Sequence, residues 1–289
     1  MRALIAGARG QIGQRCARFL ERTAEVVELD LHDAPLTCDL RLPVPSEVRE
    51  ALAGCNVAIH LAGSRDEVLF DAAAAWRLFE ANVIGTAHLL EALPRIDHVV
   101  VVSSISVYAA PTSALLQEDD LIAARTTYGA SKIAAERVAR MWQRRAGVPV
   151  TLVRLAQVYG PGTDPRNGIY RMIATARTGA PIRVDCRPGL LRDYVHVEDA
   201  GRLLAEIAQR PGHPIVNVGS GAGTRMDDLA RDIARLWGAP EPILAGDEHV
   251  GGVDLVLDTA RLRGMGLAPC ISLAEGLAGE VARLRGEAA

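Results

Sequence analysis

Short apolar runs alternate with longer amphipathic ones through the first half of the chain. "ALIAGA" is an uninterrupted apolar run of strand length, and "QIGQRCARFLERT" follows with its apolar residues at helical spacing. "EVVELD" and "NVAIHLAG" read as further strands, with a short helix over 47–53 between them. "AWRLFEANVIGTAHLLEAL" then reads as a long helix, "DHVVVVSS" as a buried strand, the stretch around Tyr128 as a helix and "PVTLVRLAQVYG" as the next strand. Strands that alternate with helices require crossover connections, which lay down a parallel sheet covered on both faces. The expected class is therefore α/β, a doubly wound parallel sheet of Rossmann type. After about residue 160 the pattern loosens, and Gly, Pro and Asp punctuate "GPGTDPRNG" and "DCRPGLLRD". Helices are expected over 168–178, 197–209, 224–237 and 272–285, separated by strand-like pieces such as "PIVNVGS". The chain thus reads as a main domain over 1–160 and a smaller, mostly helical lobe over 161–289, with 193–218 returning to the main sheet.

Composition narrows the classes. At 289 residues, 49% hydrophobic and 23% charged, the chain has the make-up of a folded soluble protein with ample core. A net charge of −3, with Arg scattered among acids, gives no footprint for nucleic acid or an anionic membrane surface. No apolar stretch reaches membrane-spanning length, and the opening "MRALIAG" carries no signal-peptide pattern. Five cysteines, odd in number and without a C-x-x-C pair, read as reduced thiols of a cytoplasmic protein. The seven histidines form no ligand-spaced cluster, so no metal is expected.

The first chemistry lies between the first strand and the first helix. "ALIAGARGQIG" places Gly7, Gly10 and Gly13 there, with Gln11 and Ile12 inside the motif. Glycines at these positions allow a tight turn and close backbone approach to a pyrophosphate, which the helix N-terminus attracts through its N–H groups and partial positive charge. Asp30 ends the next strand, 17 residues after Gly13, where a carboxylate accepts hydrogen bonds from the adenosine ribose hydroxyls. Strand, glycine loop, helix, strand and carboxylate in register point to a dinucleotide. A carboxylate repels a 2′-phosphate, which argues for NAD over NADP; Arg9, a cation inside the loop, argues the other way and carries less weight, because it is free to swing to solvent.

The G-x-x-G-x-x-G spacing, together with "TCDLR", "IHLAG", "ANVIGTAHLLEA", "VVSSISVYA", "YGASK", "VRLAQVYGPG", "LLRDYVHVEDA" and "VNVGSG" in that order, resembles the extended short-chain dehydrogenase/reductase family. That family contains the NAD-dependent sugar epimerases and dehydratases. The resemblance implies that Asp39 and Leu40 contact adenine, that Leu61, Ala62 and Gly63 pass beneath the cofactor, and that Asn82 occupies the family's helix position. It selects Ser104 over Ser103 as the catalytic serine and makes Tyr128 and Lys132 the Tyr-x-x-x-Lys pair. Arg192 matches the Arg that contacts a nucleotide-sugar pyrophosphate, and Gln157 stands where most relatives have Asn. It also implies a homodimer through helices near 71–93 and 128–146, where Trp76, Leu78, Phe79, Met141 and Trp142 add apolar content.

The chemistry of these residues is coherent. Oxidising an alcohol requires a base for the hydroxyl proton while hydride leaves for the nicotinamide. A tyrosine with an ordinary pKa of about 10 needs acidification, which Lys132, one turn along the same helix face, supplies. Ser104 sits at the carboxyl end of its strand, where open α/β sheets place ligands. Dehydratases carry an Asp-Glu pair directly after the catalytic serine; Ile105 and Ser106 follow here, so dehydration is disfavoured. The reading is an NAD-dependent sugar epimerase acting on a nucleotide-activated sugar by transient oxidation of a secondary alcohol. The alternative is an NAD(P)-dependent dehydrogenase or reductase of a smaller sugar acid or natural-product ketone or alcohol, motivated by the short substrate lobe; "RVDCRPGLLRD" also lacks the Gly-Asp-Gly turn usual in sugar-nucleotide enzymes.

Overall fold

In the computed structural model, residues 1–65, 71–93, 95–109, 115–247 and 252–287 are described. The strands in chain order are β1 (Arg2–Ala6), β2 (Glu25–Asp30), β3 (Leu36–Thr37), β4 (Val57–His60), β5 (His98–Ser104), β6 (Val150–Leu155) and β7 (Gln157–Tyr159). They continue with β8 (Arg183–Val184), β9 (Leu191–Arg192), β10 (Tyr194–His196), β11 (Ile215–Val218), β12 (Thr224–Arg225) and β13 (Ile243–Leu244). The helices are α1 (Gln11–Leu20), α2 (Ser46–Ala51), α3 (Ala72–Phe79), α4 (Gly85–Ala92) and α5 (Thr127–Ala146). They are followed by α6 (Gly168–Arg177), α7 (Val197–Ala208), α8 (Met226–Trp237), α9 (Ala260–Gly264) and α10 (Leu273–Arg285). One compact unit comprises residues 1–109, 118–155 and 200–218; the other comprises 110–117, 156–199 and 219–289. The chain passes between them several times, whereas the sequence pattern suggested a division near 160 with a return over 193–218.

The first unit is a seven-stranded parallel sheet in the order β11-β6-β5-β4-β1-β2-β3. Its central strands, β1, β4, β5 and β6, are buried along almost their whole length, because a parallel sheet is covered on both faces. Leu4, Ala6, Ala58, Val99, Val101, Val150 and Leu152 fill one side of the sheet against Leu89 and Leu90 of α4 and Ala139 of α5. The chain runs outward from β1 to β2 and β3, then returns to β4 on the other side of β1. That reversal opens a crevice at the carboxyl ends of β1 and β4, the place where such sheets bind ligands.

The long helix expected from "AWRLFEANVIGTAHLLEAL" is interrupted by a π-helical turn, Glu80–Ile84, between α3 and α4. Asp71 caps its start, accepting from the amides of Ala73 and Ala74. At the π turn, Thr86 donates its hydroxyl to the Asn82 carbonyl at 2.6 Å, and single π turns of this kind favour functional sites. In the second unit, α6, α8 and α10 enclose a separate core of Tyr159, Ile169, Ile173, Tyr194, Leu229, Ile233 and Leu277. Three small ladders, β7 with β10, β9 with β12 and β8 with β13, complete it. A capping box of Ser272 and Glu275 starts α10. Among the described residues no helix is long and apolar enough to cross a membrane.

Candidate functional site

The glycine loop lies where β1 meets the segment after β4. Gly7 adopts φ +90, and a Cβ there would stand 2.5 Å from the Ala62 amide nitrogen, so only glycine fits. Its own amide donates to the Leu29 carbonyl at 2.8 Å, and the amides of Leu61 and Ala62 both reach the Ala6 carbonyl at 2.8 Å. Three strand ends are thereby stitched together around the loop. Gly10 is the N-cap of α1, no side chain caps that helix and its first turn carries no acid. Its first amides therefore keep their donors and their partial positive charge for an anion. Gln11, Ile12 and Gly13 form that first turn.

Gly7, Gly10, Asp30, Asp39, Leu40, Leu61, Ala62 and Gly63 line one cleft of about 380 Å³, together with Leu31, Cys38, Arg41, Ser64 and Arg77, which sequence reasoning did not single out. A groove with a backbone-lined anion end and a carboxylate beyond it fits a dinucleotide. Asp30 is held ready by two amides: Oδ2 accepts from Arg9 at 2.7 Å and Oδ1 from Leu31 at 2.7 Å. The Arg9 guanidinium, weighed as a contact for a 2′-phosphate, lies against Glu28 at 2.8 Å. Asp39 is gripped by the fork of Arg41, at 2.9 Å from Nε to Oδ1 and 2.7 Å from Nη2 to Oδ2. Those bonds hold its carboxyl below the usual carboxylate range. The carboxylate expected at adenine thus has a local partner two residues away.

Asn82 is buried. Its Oδ1 accepts from the Ser64 amide at 2.8 Å, and its Nδ2 donates to the Ser64 carbonyl and to Ser131 Oγ, both at 2.9 Å. Ser131 in turn donates to the Tyr128 carbonyl at 2.7 Å. A chain of hydrogen bonds therefore runs from the segment after β4, through the π turn, to the first turn of α5. Ser131 lies inside "YGASK" but gave no signal of its own, since its partner is 49 positions away.

The Tyr128 helix docks on the end of β5. Thr126 caps α5 by accepting from the Gly129 amide at 3.1 Å. Gly129 lies against the Ser106 carbonyl so closely that any Cβ would overlap it, which sets the first turn of α5 beside the turn that follows Ser104. Ser104 ends β5; its Oγ accepts from the Ser106 amide at 3.1 Å and keeps a proton to donate. Tyr128 is half-buried in that first turn. Lys132 donates its Nζ to the Val102 carbonyl at 2.9 Å, and the same atom lies 3.9 Å from where a Cβ on Gly63 would stand. Burial brings its pKa down to about 8, against a smaller upward pull from Glu136. Next to it, His60 is brought down to about 3 by burial and by Lys132, so it stays neutral.

A buried ion pair underlies this arrangement. Glu136, one turn after Lys132, accepts from Ser103 Oγ at 2.6 Å and from Arg154 Nε and Nη2 at 3.0 and 2.9 Å. Arg154 also donates to the Glu118 carbonyl at 3.0 Å and stacks over the Tyr108 ring at 4.8 Å. Gln157 and Arg192 belong to the second unit. The Gln157 amide donates to the Asp193 carbonyl at 3.1 Å. Arg192 donates through Nη1 to the carbonyls of Leu191 and Val253, at 2.9 and 2.7 Å. Asp193, the acid next to it, instead accepts from Ser220 and from the amides of Gly221 and Leu257.

A family model described as "NAD dependent epimerase/dehydratase family" matches residues 3–219. The dTDP-4-dehydro-6-deoxy-D-allose reductase of Streptomyces bikiniensis is 31% identical over 288 residues, which is 90% of this chain and 88% of the relative. The UDP-glucose 4-epimerase of Mycolicibacterium smegmatis is 30% identical, with 96% of each chain covered. The solved structure of MoeE5 in complex with UDP-glucuronic acid and NAD matches with a TM-score of 0.84 and 28% identity, over 99% of both chains.

Proposed function

Because this chain belongs to the NAD dependent epimerase/dehydratase family, and the proteins it resembles include a UDP-glucose 4-epimerase and a structure holding UDP-glucuronic acid and NAD, we propose that it is an epimerase. Its substrate would be a nucleotide-activated sugar, oxidised transiently at a secondary alcohol. NAD, when bound, would supply the hydride acceptor and donor that this chemistry needs. The loop Gly7–Gly13 and the first turn of α1 hold the pyrophosphate, Asp30 the adenosine ribose, and Leu61–Gly63 the floor of the cleft. Tyr128 removes the hydroxyl proton and returns it to the same oxygen as the ketone is reduced again from its other face. Lys132, charged and desolvated one turn along, lowers the energy of the phenolate. Ser104 donates its hydroxyl proton to the substrate oxygen. Arg192, with its bonds made to carbonyls, keeps donors for the sugar-nucleotide pyrophosphate, and Gln157 contacts the sugar.

The observation that carries this reading is the gathering of Ser104, Tyr128 and Lys132 at the junction of β5 and α5, with no titrating pair after Ser104. Ile105 is buried and Ser106 is neutral, so nothing there protonates a leaving hydroxide as a dehydration requires. A net reductase or dehydrogenase uses the same three residues, and the similarity to the S. bikiniensis reductase favours that as the second reading. The deciding experiment incubates the protein with UDP- and dTDP-hexoses and NAD far below the sugar concentration. Epimers should equilibrate without net NADH, and Tyr128→Phe should bind NADH yet turn over at least about a hundredfold more slowly. Stoichiometric NADH formation would refute the epimerase in favour of the second reading.

We also read the protein as a homodimer. Trp76, Phe79, Ile84 and Met141 are 68%, 37%, 44% and 63% exposed on α3, the π turn and α5, a concentration of large apolar side chains suited to association.

A further inference from the structure

Strand β2 alternates strictly: Val27 and Leu29 are buried, while Glu28 and Asp30, two residues apart, share the opposite face. Both carboxylates engage the same residue. Asp30 Oδ2 takes the Arg9 backbone amide at 2.7 Å, and Glu28 Oε2 takes the Arg9 guanidinium at 2.8 Å. The Arg9 carbonyl is held as well, accepting from Gln14 Nε2 at 2.8 Å. The Glu28 side chain is 17% exposed and that of Arg9 39%, so this pair is shielded more than an ordinary surface ion pair. Arg9 therefore has its backbone fixed beside the Asp30 carboxylate while its charge is drawn back along the strand to Glu28.

We propose that Glu28 is a cofactor-specificity residue: by holding the Arg9 guanidinium away from Asp30, it denies a 2′-phosphate its only neighbouring cation from the glycine loop and makes the cleft reject NADP. The two acids act differently. Asp30 repels a 2′-phosphate directly and accepts the ribose hydroxyls in its absence. Glu28 touches neither; it occupies the one loop side chain that would offset the repulsion. Without Glu28, the guanidinium is free to turn toward a phosphate placed at Asp30, since its own amide nitrogen is 2.7 Å from that carboxylate. A charge-assisted contact of this kind is worth about tenfold in affinity or more. The inference rests on the reading of Asp30 as the ribose carboxylate, not on the sugar reaction.

The test is direct titration of NADPH and NADH, by calorimetry, into the purified protein and its variants. Asp30→Asn alone should raise NADPH affinity modestly by removing repulsion. Adding Glu28→Gln should tighten NADPH by about a further tenfold, and adding Arg9→Gln to that pair should abolish the further gain. In the otherwise unchanged protein, Arg9→Gln should leave NADPH affinity as it was, a result that needs no alteration of β2. A double variant no tighter than Asp30→Asn, a gain that survives loss of Arg9, or weaker NADPH binding by the single Arg9→Gln variant would each overturn the role of Glu28. Failure of the unaltered protein to bind NADH would instead overturn the reading of the cleft itself.

Discussion

Replacing Glu136 with Gln should weaken the first unit far more than an ordinary carboxylate-to-amide change. Both members of the Glu136–Arg154 pair are nearly inaccessible, with side chains 4% and 3% exposed. The glutamine keeps the shape and an oxygen for Ser103, so the change isolates the charge. It leaves the Arg154 guanidinium with the Glu118 carbonyl and the Tyr108 ring as its compensation. Leaving one buried charge unpaired costs about 3–5 kcal/mol. At roughly 2–4 °C per kcal/mol for a unit of this size, the melting temperature should fall by about 6–20 °C. The companion variant Glu136→Leu/Arg154→Met removes both charges and should recover most of that loss, because a buried pair is worth little against well-packed apolar side chains. Differential scanning calorimetry on the single and double variants measures both. A Glu136→Gln protein that melts within about 1 °C of the parent, or a double variant no better than the single, would refute the electrostatic account. Since Ser103 precedes Ser104 and Lys132 is one turn from Glu136, the single variant should also turn over more slowly.

Burial holds the folded pKa of Lys132 at about 8 against an ordinary value of 10.5, so the unfolded chain binds more protons between those values and this group's contribution to stability rises with pH across that window. The burial penalty is fully present below 8 and gone above 10.5; hence the melting temperature of Lys132→Met minus that of the parent should shrink as pH is raised through the window, and a pH-independent difference would exclude Lys132 as the source. Trp76→Glu should convert a dimer to a monomer in multi-angle light scattering; unchanged mass would remove this surface from the interface.

How legible a residue was depended on how far away its partner stands. The glycine loop was legible because its constraint is local sterics: Gly7 at φ +90 faces the Ala62 backbone, and no other residue type fits. Helix periodicity put Tyr128 and Lys132 on one face but gave them no role, which came only from the resemblance of the surrounding motifs, and Asp30 drew notice as a strand-end acid after a glycine loop. The buried clamp was not legible. Ser131 meets Asn82 across 49 positions and Ser103 meets Glu136 across 33, and in sequence each serine reads only as a small polar residue near the motif. The π turn was hidden for the same reason, since "EANVI" continues the helical pattern and only the long-range bonds of Asn82 give the bulge a purpose. Asp39 shows the converse: its resemblance to an adenine contact was plain, while the Arg41 fork that engages it is local and was overlooked. Arg9 sits between these cases. Its place in the glycine loop was visible, and its charge argued for a 2′-phosphate as long as nothing claimed it. The claim comes from Glu28, 19 residues on, and exists only because β1 and β2 pair in a register that sets Leu29 opposite Ala6 and brings the loop alongside the strand. Cofactor preference at this end of the cleft is therefore a property of strand register as much as of residue type, and a loop cation is evidence for NADP only after the acids on the neighbouring strand have been placed.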